Sequence, residues 1–140
     1  MPVDNIASIV AWYARIRPDF TDIDLLMNAR RKLSTRLFEL AMQVQALNRE
    51  FSGAKYRLEI FEMRRFQELR AEAQGRFIAT HAEAQVKCES AELQEQEMQA
   101  ETALQSAKII YSSGMNVCDV MSQHISNLKM EKQSEMKHSN

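Results

Sequence analysis

Nine apolar residues, Leu33, Leu37, Leu40, Val44, Leu47, Phe51, Ala54, Leu58 and Phe61, recur at alternating spacings of four and three. That rhythm keeps to one stripe of an α-helix, whereas a strand would alternate every second residue. The chain around the stripe has few ways to turn: its 140 residues include 3 Gly and 2 Pro. An all-β chain or a βαβ series needs a cluster of turn formers every dozen residues or so. A few long helices need almost none, so the expected class is all-α.

Three segments follow from the punctuation. In the first, Asp4 is placed to cap a short helix, and Arg17-Pro18 ends it, because the residue before proline is pushed out of the α region. This helix, expected over 4–17, carries Ile6, Ile9, Val10, Trp12 and Tyr13. The second segment starts at Thr21 or Asp22, either a fair N-cap, and runs as a long helix over 21–75. Gly53 lies inside it at a cost of roughly 1 kcal/mol against alanine. After Phe61 the phase slips: Arg65 falls on the stripe, and Phe66, Leu69 and Ala73 carry a shifted one. Gly75 is the strongest stop signal.

Thr80-His81-Ala82-Glu83 reads as a capping box opening the third segment, a long helix over 80–132. Its stripe is Val86, Ser90, Leu93, Glu97, Ala100 and Leu104, then Ala107, Tyr111, Gly114, Cys118, Met121, Ile125 and Leu128. The stripe is small or polar before Leu104 and apolar after it. Ile109, Ile110, Val117 and Val120 widen the apolar part. Residues 133–140 are polar and expected to fray.

The expected architecture is one helical domain, 1–140: a long antiparallel, coiled-coil-like hairpin of roughly 80 Å with a short N-terminal helix. A two-helix hairpin buries little surface per residue and usually needs a partner. The surplus apolar residues are expected to meet other copies in a closed, symmetric homo-oligomer. The alternative is a monomeric three-helix bundle with the first helix folded back.

Other classes fall on simple grounds. Net charge is −1, so the chain does not coat nucleic acid by bulk charge. No apolar run approaches the roughly 20 residues of a membrane span. A membrane-surface role for Ile6 to Ala14 is weaker than packing of that helix on the hairpin. No basic segment precedes an apolar run, so a secretory signal is not expected. Cys88 and Cys118, on one helix, would lie roughly 45 Å apart and are read as reduced thiols. There is no P-loop, no G-x-G-x-x-G and no C-x-x-C. His81 and Cys88 share a face, but two ligands do not make a zinc site. His124 reads as a helix-surface residue, and Glu92, Glu95, Glu97 and Glu101 as a solvated acidic face. Neither an enzyme nor a cofactor is expected.

Charge is sorted along the chain. All eleven arginines lie in residues 1–76, which carry net +3, against −4 for 77–140. The densest stretch, Arg49 to Arg65, interleaves Arg49, Lys55, Arg57, Arg64 and Arg65 with Phe51, Tyr56, Phe61 and the adjoining Phe66. Non-specific single-strand binders use this combination: cations track phosphates and rings stack on bases. In one subunit the same pattern suits a solvated helix face, with Glu50, Glu59, Glu62 and Glu68 placed to pair three or four residues away. A ring would repeat the patch around one axis and strengthen binding. A second basic cluster, Arg30-Arg31-Lys32 with Arg36, reads as a surface stripe or a contact to another protein.

Lys55-Tyr56-Arg57-Leu58-Glu59-Ile60-Phe61 resembles a stretch of the UvsY-type recombination mediators of tailed phages, Lys-x-Arg-Leu-acid-aromatic-aromatic. Ile60 departs from that pattern, being aliphatic. Tyr111-Ser112-Ser113-Gly114-Met115 resembles the family's aromatic-x-Ser-Gly-small block, and Ile125 to Met130 continues as a similar amphipathic end. The resemblance implies a non-enzymatic, all-helical ring that binds single-stranded DNA. It implies action on a phage recombinase and single-strand-binding protein, in the cytoplasm of a bacterial host. It places DNA contact on Lys55 and Arg57, to which the basic-aromatic cluster adds Arg49, Tyr56, Arg64 and Arg65. It places oligomerisation on Leu104 to Leu128, including Ile110, Tyr111, Val117, Met121 and Ile125. The competing expectation is a helical scaffold, adaptor or phage inhibitor that acts only through protein contacts, gripping a partner by Arg30 to Arg36 or by the acidic 89–101 face.

Overall fold

The computed structural model describes residues 5–16 and 18–138. Among them are four helices and no strand: α1 (Ile6–Ile16), α2 (Ile23–Glu72), α3 (Ala79–Glu89) and α4 (Ala91–His138). The protein is all-helical, and its two long helices pack together. No described helix is long and apolar enough to cross a membrane.

The starts of α1 and α2 follow from short polar side chains. Asn5 caps α1, its Oδ1 accepting from the Ser8 N–H at 2.7 Å. Asp4, the expected cap, and Arg17, the expected stop, lie outside the described residues. Asp22 caps α2 as expected, its Oδ1 accepting from the Leu25 N–H at 3.1 Å. The end of α2 comes at Glu72, earlier than the expected 75. Gly75 lies beyond it with φ of 148°, in a region that residues with a Cβ avoid, and so serves the turn itself.

Three expectations for the second half need correction. The helix that follows the turn starts at Ala79, with Ile78 at the N-cap and no side-chain cap bond, so Thr80 lies inside it and makes no capping box. The single helix expected over 80–132 is interrupted at Ser90. There the buried hydroxyl donates to the Lys87 carbonyl at 3.2 Å and accepts from the Gln94 amide at 2.8 Å. A serine bonding back to its own helix competes with the regular ladder and bends it. The expected frayed tail is helical to His138. Glu131, Lys132, Gln133, Glu135 and Lys137 are strong helix formers, so their polarity reports exposure rather than disorder.

The chain divides into two compact units. The first draws its described residues from Met1–Gln43 and Ala107–Asn140. Its core joins Ile9, Trp12 and Tyr13 of α1, Leu26, Leu33 and Leu37 of α2, and Cys118, Met121 and Ile125 of α4. α1 is therefore folded back onto α2 and α4, as in the three-helix alternative. Trp12 meets Phe20 edge-on at 5.5 Å between ring centroids. His124 is no free surface residue: Nε2 donates to the Phe20 carbonyl at 3.0 Å, leaving Nδ1 to accept from the Tyr13 hydroxyl at 3.1 Å. It ties α1 and the following loop to α4. Arg30 lies beside Ser122 and Leu37 beside Gly114, so the helices run antiparallel here.

The second unit spans Val44–Ser106. Ala54 and Leu58 from α2, Ala82 and Val86 from α3, and Leu104 from α4 are its buried apolar residues. Phe66 meets Phe77 edge-on at 5.6 Å, closing the unit near the turn. Every position of both sequence stripes, from Leu33 to Phe61 and from Val86 to Leu128, is buried or half-buried.

Candidate nucleic-acid interface

The basic-aromatic stretch lies on α2 within the second unit. Each helical residue advances about 100° around the axis, so Arg49 and Tyr56 fall opposite the inward line of Ala54, Leu58 and Arg65. Arg57 and Arg64 lie together on one flank, and Lys55 on the other. All five are exposed. Tyr56 is 63% exposed, presenting a ring that no core contact claims. Phe51, Phe61 and Phe66 are half-buried and belong to the packing.

Charge pairing separates the cations. Among the described residues, no ion pair holds Arg49, Lys55, Arg57 or Arg64, although Glu50, Glu59 and Glu62 are close in sequence. Arg65 behaves differently. Its guanidinium meets Glu89 at 2.6 Å, Glu68 at 3.1 Å and Glu72 at 3.8 Å. Where the stripe slips phase, the inward position receives an arginine, and α3 answers with a carboxylate. Arg65 therefore fastens α2 to α3, and its charge is not available to a ligand as the sequence expectation had it.

The same contacts shift the partners' protonation. Hydrogen bonds donated to Glu89 and Glu68 hold the Arg65 proton more firmly than usual. The Arg65 hydrogen bond, then that of Gln85, holds the Glu89 carboxyl below the ordinary glutamate value. A depressed folded-state pKa gives stability that is present above the ordinary glutamate range and lost as pH falls through the depressed value. Acid titration followed by circular dichroism, from about pH 6 to about pH 2, is expected to show it. Glu89→Gln should lower stability at neutral pH and flatten its fall in acid. An unchanged acid profile in Glu89→Gln would contradict the role given to this pair.

The expected oligomerisation residues divide as well. Leu104, Met121 and Ile125 are buried within their own units. Tyr111, Val117 and Leu128 pack partly against the first unit's core. For all of these but Leu104, which lies in the second unit, the reason is α1, which packs on the same face of α4. Of the expected residues Ile110 stays exposed, together with Ile109, Met115 and Val120 on α4 and Phe38 and Met42 on α2.

The cysteines are free, Cys88 exposed and Cys118 buried. Among the described residues no three His, Cys, Asp or Glu side chains gather as metal ligands. The second basic cluster holds what sequence reading missed. Arg30 and Arg31 face Ser122 and Lys129 of α4 across a groove. Ser122 and Lys129 lie about ninety positions away in sequence and form no motif with the arginines.

Neither family models nor curated proteins nor solved structures show a match to this chain.

Proposed function

We infer that this chain is a non-enzymatic protein that binds single-stranded DNA along the outward face of α2, through Arg49, Lys55, Arg57 and Arg64 with Tyr56 as a stacking ring. One observation carries the reading: four cations with no carboxylate partner among the described residues flank an exposed aromatic on one helix. Arginine forks suit phosphate oxygens, and an exposed ring gives any base a stacking surface. Such binding is insensitive to sequence. The further role, that of a mediator helping a recombinase onto DNA covered by single-strand-binding protein, rests on the blocks at Lys55–Phe61 and Tyr111–Met115. In that role several copies would assemble as a ring, repeating the α2 face and multiplying its affinity.

Substitution of the cations tests the assignment. Lys55→Ala with Arg57→Ala is expected to weaken binding of a labelled oligothymidylate by on the order of tenfold per cation at low salt. The loss should be similar for other base compositions. Arg65→Gln should cost less affinity than Arg57→Ala, because Glu68, Glu72 and Glu89 already occupy Arg65. Equal losses from the two, or none from the double variant, would remove the α2 face from the account.

A second reading is favoured by a different observation. Phe38 and Ile109 are 70% and 66% exposed, more apolar surface than solubility asks for. A scaffold or inhibitor acting through protein contacts would use these residues and leave the cations to solvent. It predicts no DNA affinity at moderate salt.

A further inference from the structure

In the first unit, α2 and α4 leave an open groove of about 650 Å³ between them. Three cations line it: Arg30 and Arg31 from α2 and Lys129 from α4. Among the described residues, none of the three is paired with a carboxylate. The two arginines are held by neutral partners instead. The Arg30 Nε–H donates to Ser122 Oγ, which itself donates to the Cys118 carbonyl at 2.9 Å. The Arg31 Nη2 donates to Asn28 Oδ1 at 3.0 Å. Both guanidinium groups are thus oriented while keeping their full charge and further N–H groups. Ser34 and Ser126 add hydroxyls to the lining, and the buried Ile125 gives it an apolar patch. Among the described residues Asp24 is the one carboxylate in the lining.

We propose that this groove binds a phosphate ester, with Arg30, Arg31 and Lys129 as its anion contacts. Two planar forks, an ammonium and two hydroxyls offer more donors than the two oxygens of a carboxylate can use. A phosphate ester, or successive phosphates of a strand, uses them. The volume falls in the range of small-molecule sites and exceeds a lone phosphate ion. The lining has room for the ester's organic part against Ile125. Asp24 repels a ligand that brings negative charge to its end of the groove, which sets an upper bound on ligand charge. The site uses none of the residues of the α2 DNA face, so each assignment can fail without the other.

The test uses the full chain, labelled with ¹⁵N and observed by two-dimensional amide spectra at constant ionic strength. Three probes are titrated: phenyl phosphate, an oligothymidylate lacking a terminal phosphate, and a short poly-glutamate peptide. Saturable shifts at Arg31, Ser122, Ser126 and Lys129 with phenyl phosphate alone assign the groove to free phosphate esters. The same shifts with the oligothymidylate assign it to a strand's backbone. Arg31→Gln with Lys129→Gln should weaken either one by about tenfold or more, one charge-assisted contact being worth that much. This pair leaves the Arg30–Ser122 tie in place, and an unchanged melting temperature confirms that the fold survives. Lys55→Ala with Arg57→Ala should leave these shifts intact. The proposal is overturned if neither phosphate probe shifts these amides, if the peptide binds as tightly as they do, or if the double variant binds unchanged.

Discussion

Gly114→Ala is expected to destabilise the protein, while the same change at Gly53 stabilises it. Both glycines lie inside long helices, where alanine is intrinsically better by about 1 kcal/mol. Their surroundings decide the sign. A Cβ at Gly114 would lie 2.5 Å from Leu37 Cδ2 and 3.4 Å from Ile6 Cγ2. Leu37 is itself buried in the core and has little space to retreat into. Overpacking of this kind costs about 1–3 kcal/mol, enough to outweigh the helical gain. At Gly53 the nearest atom is Arg57 Nη1 at 3.4 Å, the far end of a mobile, exposed side chain. Denaturant midpoints for the two variants should therefore move in opposite directions from wild type. Gly114→Val, with two more methyl groups in the same space, should fall further than Gly114→Ala. A Gly114→Ala variant as stable as Gly53→Ala would mean that α2 and α4 do not approach this closely.

Trp12→Ala should cost still more, about 3–5 kcal/mol, the usual range for emptying an aromatic site in a core. Trp12 packs with Ile9 and Tyr13 against α2 and α4, and its ring meets Phe20. Removing it takes away the centre of the apolar face that holds α1 down. The Tyr13–His124–Phe20 hydrogen bonds are expected to be too weak alone to keep α1 docked, since each contributes about 1 kcal/mol net. Amide hydrogen exchange of α1 should rise by orders of magnitude relative to the exchange of α2 around Ala54. With α1 displaced, Leu26, Leu33 and Ile125 become available, so binding of a hydrophobic dye should increase. Protected α1 amides in Trp12→Ala would show that the helix is held by something other than this core.

The sequence reading located the helical stripes correctly because their period is a local property. Leu33 to Phe61 and Val86 to Leu128 all turn inward, Ser90 and Glu97 included. Position in a 3-4 rhythm predicted burial better than side-chain polarity did. What covers an apolar surface is not local, and spacing leaves it open. Trp12 and Tyr13 were as suited to a neighbouring copy as to α4, and the choice depends on a chain reversal at Pro18–Asp19 that spacing does not encode. For the same reason spacing alone does not show that Met121 and Ile125 pack with α1 rather than with another copy. Ser90 shows a different limit. One hydroxyl with two hydrogen bonds interrupts a helix whose apolar spacing runs through it without a mark. Within the basic stretch, composition did not distinguish Arg65 from Arg64. The phase slip did signal that Arg65 faces inward, but Glu89, its partner, came from beyond the turn.

The most direct test of the proposed DNA interface is fluorescence anisotropy of a labelled single-stranded oligonucleotide, titrated with the intact protein at several salt concentrations. Each phosphate neutralised on a single strand contributes a slope of about −0.7 to log affinity against log salt. With Arg49, Lys55, Arg57 and Arg64 engaged, one subunit is expected to give a slope near −3, as four such contacts imply roughly. Removing Lys55 and Arg57 should flatten it by about half. Absence of binding at low salt, or affinity that does not change with salt, would contradict the account and leave the exposed apolar residues around Phe38 and Ile109 as the surface through which the protein works.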